Sequence, residues 1–425
     1  MSEYDPLSAE GIADPEEHWR RLRGREPVHH YVLPRAEVER LGAYAFAAEP
    51  TTEFWSALRH ADVVHLLTDP ADFPSAQGPG LDRMAPAPGG GVLIFADGAV
   101  HRRQRRLVAK AFTPRAVTRL LPRIQADVDD LVDAHAPRGR MELVEAIGIR
   151  LAIRTVLQIM GVPLERAGDF QRWGSAITGA LGGDPAAIQA GGAALTELFG
   201  HVQGVIDSVR AGEAAADLAH GVLAGMVHAE DGGNRLSDEE ICQVTMQLVT
   251  AGYETTSTAL ANGVHALCTH PDQRARFERA DQDGVRNAVE EILRFAGPQA
   301  GLFRTTARDV ELGGCPIPAG AKIRAAFASA NRDEEAFRDA GSFDIARDRA
   351  ELHNHVAFGL GPHACIGASL ARAELAAALE TLFRRLPGLE LDPGDPPVRN
   401  TTKLTITGFA RLPIRWDPAG VRPSR

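Results

Sequence analysis

Apolar residues recur at three- and four-residue spacing through most of the chain, the period of a helix with one buried face. The longest such run, Ile241, Val244, Met246, Leu248, Val249, Leu260, Val264 and Leu267, meets no proline before Pro271. Ser237-Asp238-Glu239-Glu240 just ahead of it has the spacing of a capping box, so a helix of about thirty residues, roughly 45 Å long, is expected there. A second run, Leu370, Leu375, Leu379, Leu382, Phe383 and Leu386, carries Arg384 and Arg385 in its last turn and stops at Pro387-Gly388. Shorter helical patterns occupy 15–23, 56–67, 128–134, 143–160 and 189–209. Strand-like stretches are fewer: Tyr44-Ala45-Phe46, Phe54-Trp55, the extended run 297–304, a hairpin pattern over 310–320 and the alternating stretch 402–412. The expected class is therefore mostly α with a minor β portion. No Gly/Ser linker, charge block or internal repeat divides the 425 residues, so one domain, 1–425, is expected, with a disordered tail at 418–425.

Two places break the helical patterns. In the middle of the long helix lies Ala251-Gly252-Tyr253-Glu254-Thr255-Thr256. Glycine costs about 1 kcal/mol relative to alanine in a helix interior, and β-branched neighbours add to it, so the helix is weakest where it should be most buried. Thr255 can return its hydroxyl to the carbonyl of Ala251, four residues back. The second place is Phe358-Gly359-Leu360-Gly361-Pro362-His363-Ala364-Cys365-Ile366-Gly367, a tight Gly/Pro loop that delivers Cys365 to the start of the second helix. A helix N-terminus and free loop amides favour thiolate over thiol. The other cysteines, Cys242, Cys268 and Cys315, form no Cys-x-x-Cys pair with it, so a zinc site or an iron–sulfur cluster lacks ligands. What remains is a buried structural thiol or a single thiolate on a metal whose other positions are filled by a macrocycle.

Composition narrows the classes. A net charge of -10 speaks against nucleic acid as a general partner. No stretch approaches the roughly 18 to 20 apolar residues that span a bilayer, and scarce, unpatterned cysteines fit a reducing compartment, so a cytoplasmic location is expected. Asp97-Gly98-Ala99-Val100-His101-Arg102-Arg103-Gln104-Arg105-Arg106 opens a basic helix on which His101 and Arg105 project from one side. Glu291 and Arg294 are likewise three apart on one helical face. The stretch 75–91 is crowded with glycine and proline, a loop long enough to be functional.

Phe-Gly-x-Gly-x-His-x-Cys-x-Gly over 358–367 resembles the haem-binding loop of the cytochrome P450 family, and Ala-Gly-x-Glu-Thr-Thr over 251–256 resembles that family's oxygen-activation motif. The resemblance runs from about residue 90 to residue 412, with motifs in order. It implies the family's wedge-shaped fold and haem b as cofactor, with Cys365 as axial iron ligand and Phe358, Gly359, Gly367, Ala251 and Gly252 against the macrocycle. It implies His101, Arg105, Arg304 and His363 as propionate partners, and Glu254 and Thr255 as the catalytic acid and alcohol. It implies a buried Glu291–Arg294–Arg347 network beneath the cysteine loop. Leu81, Met84, Ile94, Trp173, Ile177, Leu248, Ala251, Leu302 and Phe303 are the candidate substrate contacts, and 75–95 and 165–200 the mobile access segments. The implied activity is insertion of one oxygen atom from dioxygen into an apolar small molecule such as a terpenoid, steroid, fatty acid or polyketide. Electrons would come from a separate ferredoxin and its NAD(P)H-dependent reductase, onto a monomeric bacterial enzyme without a membrane span. Arg102, Arg103 and Arg106 are candidates for docking that donor. A haem-thiolate gas sensor or electron carrier has no use for Glu254-Thr255, and peroxide-using relatives usually lose that pair.

Overall fold

The computed structural model describes residues 11–12, 15–33, 47–49, 51–84, 90–112, 114–180, 185–401 and 404–423. Helices of seven residues or more are α1 (Glu16–Arg23), α2 (His60–Thr68), α3 (Gly98–Ala111), α4 (Pro114–Asp133), α5 (Arg150–Met160), α6 (Ala167–Gly179), α7 (Pro185–Ala211), α8 (Val222–His228), α9 (Asp238–Thr269), α10 (Pro271–Phe277), α11 (Gln282–Ala296) and α12 (Ala368–Arg385). The mostly helical expectation holds. The pattern read as a helix over 56–67 begins later, because Ser56 and Ala57 belong to a strand, and the predicted strand Tyr44–Phe46 lies outside the described residues.

Helix α9, 32 residues and roughly 48 Å long, is the axis of the molecule. It starts as predicted: Ser237 Oγ accepts from Glu240 N at 3.1 Å, and Glu240 returns an acceptor to Ser237 N at 2.9 Å. Its neighbours approach closely because glycines face it or lie on it. A Cβ on Gly252 would come within 2.7 Å of Val156 Cγ2 on α5, one on Gly174 of α6 within 2.9 Å of the Tyr253 ring, and one on Gly148 within 2.9 Å of Ser257 Cβ. The main core closes around this axis with Leu143, Leu157, Leu198, Val244, Leu260, Val264, Ile292 and Leu379, all without meaningful exposure.

Strands supply the other side of the molecule. β1 (Val28–Val32), β3 (Glu53–Ala57), β9 (Lys322–Ala325) and β6 (Leu302–Thr305) form one sheet in that order, in which only the β3–β9 pairing is parallel. Trp55, Ala57, Ile323, Ala325 and Phe327 make its own small core with α2. The hairpin predicted over 310–320 is β7 (Val310–Leu312) against β8 (Cys315–Ile317), and β2 (Ala47–Glu49) pairs antiparallel with β4 (Arg83–Met84). Near the C-terminus, the stretch 402–412 expected to be a strand pair holds one strand among its described residues, and the next strand lies just beyond it. β12 (Phe409–Arg411) pairs with β11 (Val398–Arg399), while β13 (Pro413–Arg415) joins β10 (Glu390–Leu391) and β5 (Arg140–Glu142). The tail expected to be disordered is ordered as far as residue 423. Arg422 N donates to Arg385 O at 3.0 Å and Arg385 Nε returns a bond to Arg422 O at 3.0 Å, closing the end of α12.

Candidate active site

The Cys365 loop folds by backbone geometry. Gly359 and Gly361 take φ of 65° and 68°, and a Cβ on Gly361 would lie 2.5 Å from Leu67 O at the end of α2, so only glycine fits there. Cys365 N donates to Phe358 O at 2.9 Å, closing the loop, and α12 begins three residues after the cysteine. Cys365 keeps accessible surface although protein encloses it on nearly every side, so that surface faces inward. Burial pushes the Cys365 thiol up, against the pull of the Gly367 and Ala368 amides and of the Arg105 and Arg372 guanidiniums. The expected thiolate is therefore not produced by the helix N-terminus alone. Binding a cation supplies the remainder, as metal binding does for any coordinating thiol.

Around this inward surface stand donors in excess. The His101 and His363 rings lie 4.1 Å apart, and Arg105 donates Nη2 to Ala364 O at 2.6 Å beside the cysteine. Burial, with His363 and Arg105 close by, pushes His101 down to about 4. Arg304 is 4% exposed, burial pushes it down to about 10, and it has no ion-pair partner among the described residues. The one carboxylate in this group is Asp97, which meets His363 Nε2 at 3.4 Å through Oδ1 and accepts the Ser75 and Ala76 amides at 2.8 Å each through Oδ2. A group of two arginines and two histidines, of which Arg304 and His101 are buried, around one shared carboxylate suits an anionic ligand. Haem, with one iron for Cys365 and two carboxylates, fits that donor set.

In the middle of α9, Ala251 is exposed and Gly252, Glu254 and Thr255 are half-buried. Thr255 Oγ1 donates to Ala251 O at 2.8 Å, as the sequence predicts. Thr250 does the same to Met246 O at 2.9 Å, and Ser257 Oγ bonds Glu254 O at 3.0 Å. These hydroxyls all bond the helix's own backbone, and Ser257, buried, packs toward Gly148.

The predicted triad beneath the loop is assembled. Glu291 Oε2 and Oε1 accept Arg294 Nε and Nη2 at 2.7 and 2.8 Å, and Arg347 Nε reaches the same carboxylate at 3.1 Å, with Glu291 and Arg294 fully buried. Arg294 also donates to the carbonyls of Asn331, Ala340 and Ser342, and Glu291 accepts Asp344 N at 2.8 Å. A neighbouring brace was not anticipated. Glu290 takes Arg372 at 2.6 and 3.0 Å and His355 at 2.8 Å, while Arg372 lies 4.4 Å over the Phe358 ring. Burial raises Glu290, but the His355 and Arg372 bonds outweigh it and bring it to about 2. Its sequence signal was only an acid beside another acid. Asp97 was equally easy to miss: it stands at a helix start, yet its side chain caps nothing in α3 and reaches across the site instead.

Three expected cavity contacts are corrected. Leu81 and Phe303 are buried together with Tyr31, Leu33 and Phe54, and Trp173 is buried against Phe170 with Nε1 donating to Glu197 at 2.9 Å. Side chains with so little accessible surface are packing residues. Met84, Ile94, Ile177, Leu248 and Leu302 retain surface. The basic cluster is corrected too. Arg103 pairs with Glu240, and Arg106 with Asp231 at 2.9 Å, so two of the three arginines offered for docking are held within the chain.

A cysteine that keeps accessible surface, with a group of donors suited to an anion beside it, fits a haem-thiolate protein. The family model described as Cytochrome P450 matches residues 194–415. The cytochrome P450 monooxygenase PikC of Streptomyces venezuelae is 36% identical over 96% of this chain and 93% of its own. The 6-deoxyerythronolide B hydroxylase of Saccharopolyspora erythraea is 34% identical over 76% of this chain and 77% of its own. The crystal structure of CalO2 superposes with a TM-score of 0.83 at 30% identity, covering 99% of this chain and all of that one. The chain belongs to the cytochrome P450 family; it is a haem-binding monooxygenase that works with a redox partner. Among the described residues no helix is long and apolar enough to cross a membrane.

Proposed function

We propose that this enzyme hydroxylates, or epoxidises, an apolar small molecule of polyketide, terpenoid or steroid type, with electrons from a separate ferredoxin. What carries the reading is Cys365 at the head of α12 beside donors suited to an anion, together with an acid and an alcohol on a half-buried turn of α9. The name of the 6-deoxyerythronolide B hydroxylase supports a bulky, largely apolar substrate. So do the half-buried Met84, Ile94, Ile177, Leu248 and Leu302, which present hydrocarbon and no charge. Segments 75–95 and 165–200 would form the substrate-facing walls.

Cys365 Sγ would hold the iron, and His101, Arg105, Arg304 and His363 would hold the propionates. When bound, haem supplies the redox-active iron at which dioxygen is reduced, with the thiolate pushing electron density toward O–O cleavage. The protein's share is proton control. Thr255 Oγ1, parked on Ala251 O, can rotate to hold a hydrogen bond over the reacting oxygen, and Glu254 on the adjacent position can pass protons inward. Arg102, exposed on the helix that also carries His101 and Arg105, forms no ion pair among the described residues, and it would meet an acidic donor.

A library of apolar ring compounds, screened for shifts in the ferric haem spectrum and then for oxygenated product with a ferredoxin and reductase, tests the substrate reading. Product from a charged, hydrophilic compound in preference to every apolar one would overturn it. Reduction rates that ignore ionic strength, and an unchanged rate in Arg102→Glu, would remove the electrostatic docking.

A further inference from the structure

Residues 75–84, the first part of the segment 75–95 expected to be a mobile wall, are stitched to the anion cradle from both ends, while 85–89 lie outside the described residues. Asp97 Oδ2 holds Ser75 N and Ala76 N at 2.8 Å each while Oδ1 faces His363 at 3.4 Å. The backbone of Asp97 also begins α3, where His101 N donates to Asp97 O at 3.2 Å, so one residue touches the segment, the cysteine loop and the helix bearing His101 and Arg105. On its other side the segment is tied to β6. Phe303 N donates to Pro79 O at 2.9 Å and Thr305 N to Pro74 O at 3.4 Å, which are the residues immediately before and after Arg304. Lys322, 2% exposed on the neighbouring strand, gives its ammonium to Gly78 O at 2.9 Å and Gln77 O at 3.2 Å. Within the segment, Gly78 N bonds Ser75 O and Met84 N bonds Gln77 O, so it is a folded loop whose internal bonds depend on where its ends are held.

We propose that Asp97 is a positioning residue that couples segment 75–84 to His363 and Arg304, so that retention of the prosthetic group and the set of this segment strengthen and weaken together. The inference rests on the assignment of His363 and Arg304 to the propionates. By linkage, whatever the anion gains from an ordered segment, the segment gains from the anion. A carboxylate bridging two amides and an imidazole suits the role, because losing its charge weakens all three bonds at once.

The test uses the haem-loaded enzyme and two readouts: the rate of haem transfer to excess apomyoglobin, and hydrogen exchange at the amides of Gly78 and Met84, neither of which bonds Asp97. Asp97→Asn keeps a carbonyl for the two amides, so the fold persists. It should lose haem about tenfold faster and exchange both amides faster. Lys322→Met, which removes the ammonium that holds the Gln77 and Gly78 carbonyls, should speed exchange at Gly78 and raise haem loss severalfold, and it should add nothing further to haem loss in the Asp97→Asn background. Asp97→Glu, which keeps the charge, should recover much of both effects. Independent, additive effects of the two substitutions on haem loss would overturn the coupling. So would unchanged haem loss in Asp97→Asn while His363→Ala still accelerates it. Unchanged haem loss in His363→Ala itself would instead remove the propionate assignment beneath the proposal.

Discussion

The two sides of the active site are built on opposite principles. Beneath the cysteine loop, charge is buried and fully answered: Glu291, Arg294 and Arg347 share bonds with one another and with six backbone carbonyls or amides contributed by 331–344. At the centre of α9, by contrast, one position is left open and a polar group is answered from within: Ala251 is exposed, and Thr255 spends its hydroxyl on its own backbone. The thiolate side must not move, since a displaced ligand loses the metal. The oxygen side must hold groups that can change partners during a reaction. Rigidity and adaptability are thus assigned by where the polar groups are satisfied, from outside the element in one case and from within it in the other.

That contrast can be broken from either side. Cys365→Ser should abolish turnover and remove the strongly red-shifted Soret band from the carbon monoxide adduct of the reduced protein; an active variant with that band intact would end the ligand assignment. Glu291→Ala strands two buried guanidiniums and should cost about 3–5 kcal/mol, read as a lowered denaturation midpoint together with poor haem incorporation. Thr255→Ala should retain haem and fold normally but divert reducing equivalents to peroxide, lowering product per electron pair by about tenfold or more. If coupling is unchanged, Thr255 has no part in proton delivery.

Two smaller effects sharpen the comparison. The Glu290 carboxyl titrates at about 2 in the folded protein, below its ordinary 4.5. The unfolded chain therefore binds the proton first, so the stability Glu290 lends is complete above about 4.5 and is lost as pH falls toward 2. Glu290→Gln should cost on the order of 2 kcal/mol at neutral pH and flatten that limb of the acid-unfolding curve. Gly252→Ala gains about 1 kcal/mol of helix propensity and spends it on Val156, whose Cγ2 would lie 2.7 Å from the new methyl. The net change should stay within about 1 kcal/mol, and adding Val156→Ala should expose the gain as a higher Tm.

Much of this was legible in the sequence because it is local. The capping box at Ser237, the Thr255-to-Ala251 bond and the Gly359/Gly361 turn each lie within a few residues of one another, where spacing determines geometry. The Glu291–Arg294 pair was local as well, although its third member came from the family pattern. What the chain concealed was long-range competition. Arg103 and Arg106 read as free charge until Glu240 and Asp231, more than 120 residues away, were brought against them. Trp173, Leu81 and Phe303 read as cavity residues because an apolar side chain suits a cavity wall and a core equally, and only the neighbours decide. Asp97 was hidden for the same reason, since its partners Ser75, Ala76 and His363 come from two distant stretches.

The mixed sheet has a consequence for biosynthesis. β1 and β3 can zip into a hairpin soon after they leave the ribosome, but the other edge of β3 waits for β9, whose Ile323 pairs with Trp55. At roughly 5–20 residues per second that edge stays uncovered for about 15–50 s, with Phe54 and Trp55 at hand for any stray strand. Yield in a host cell should therefore respond to chaperone supply and translation speed through this hairpin before it responds to anything at the iron.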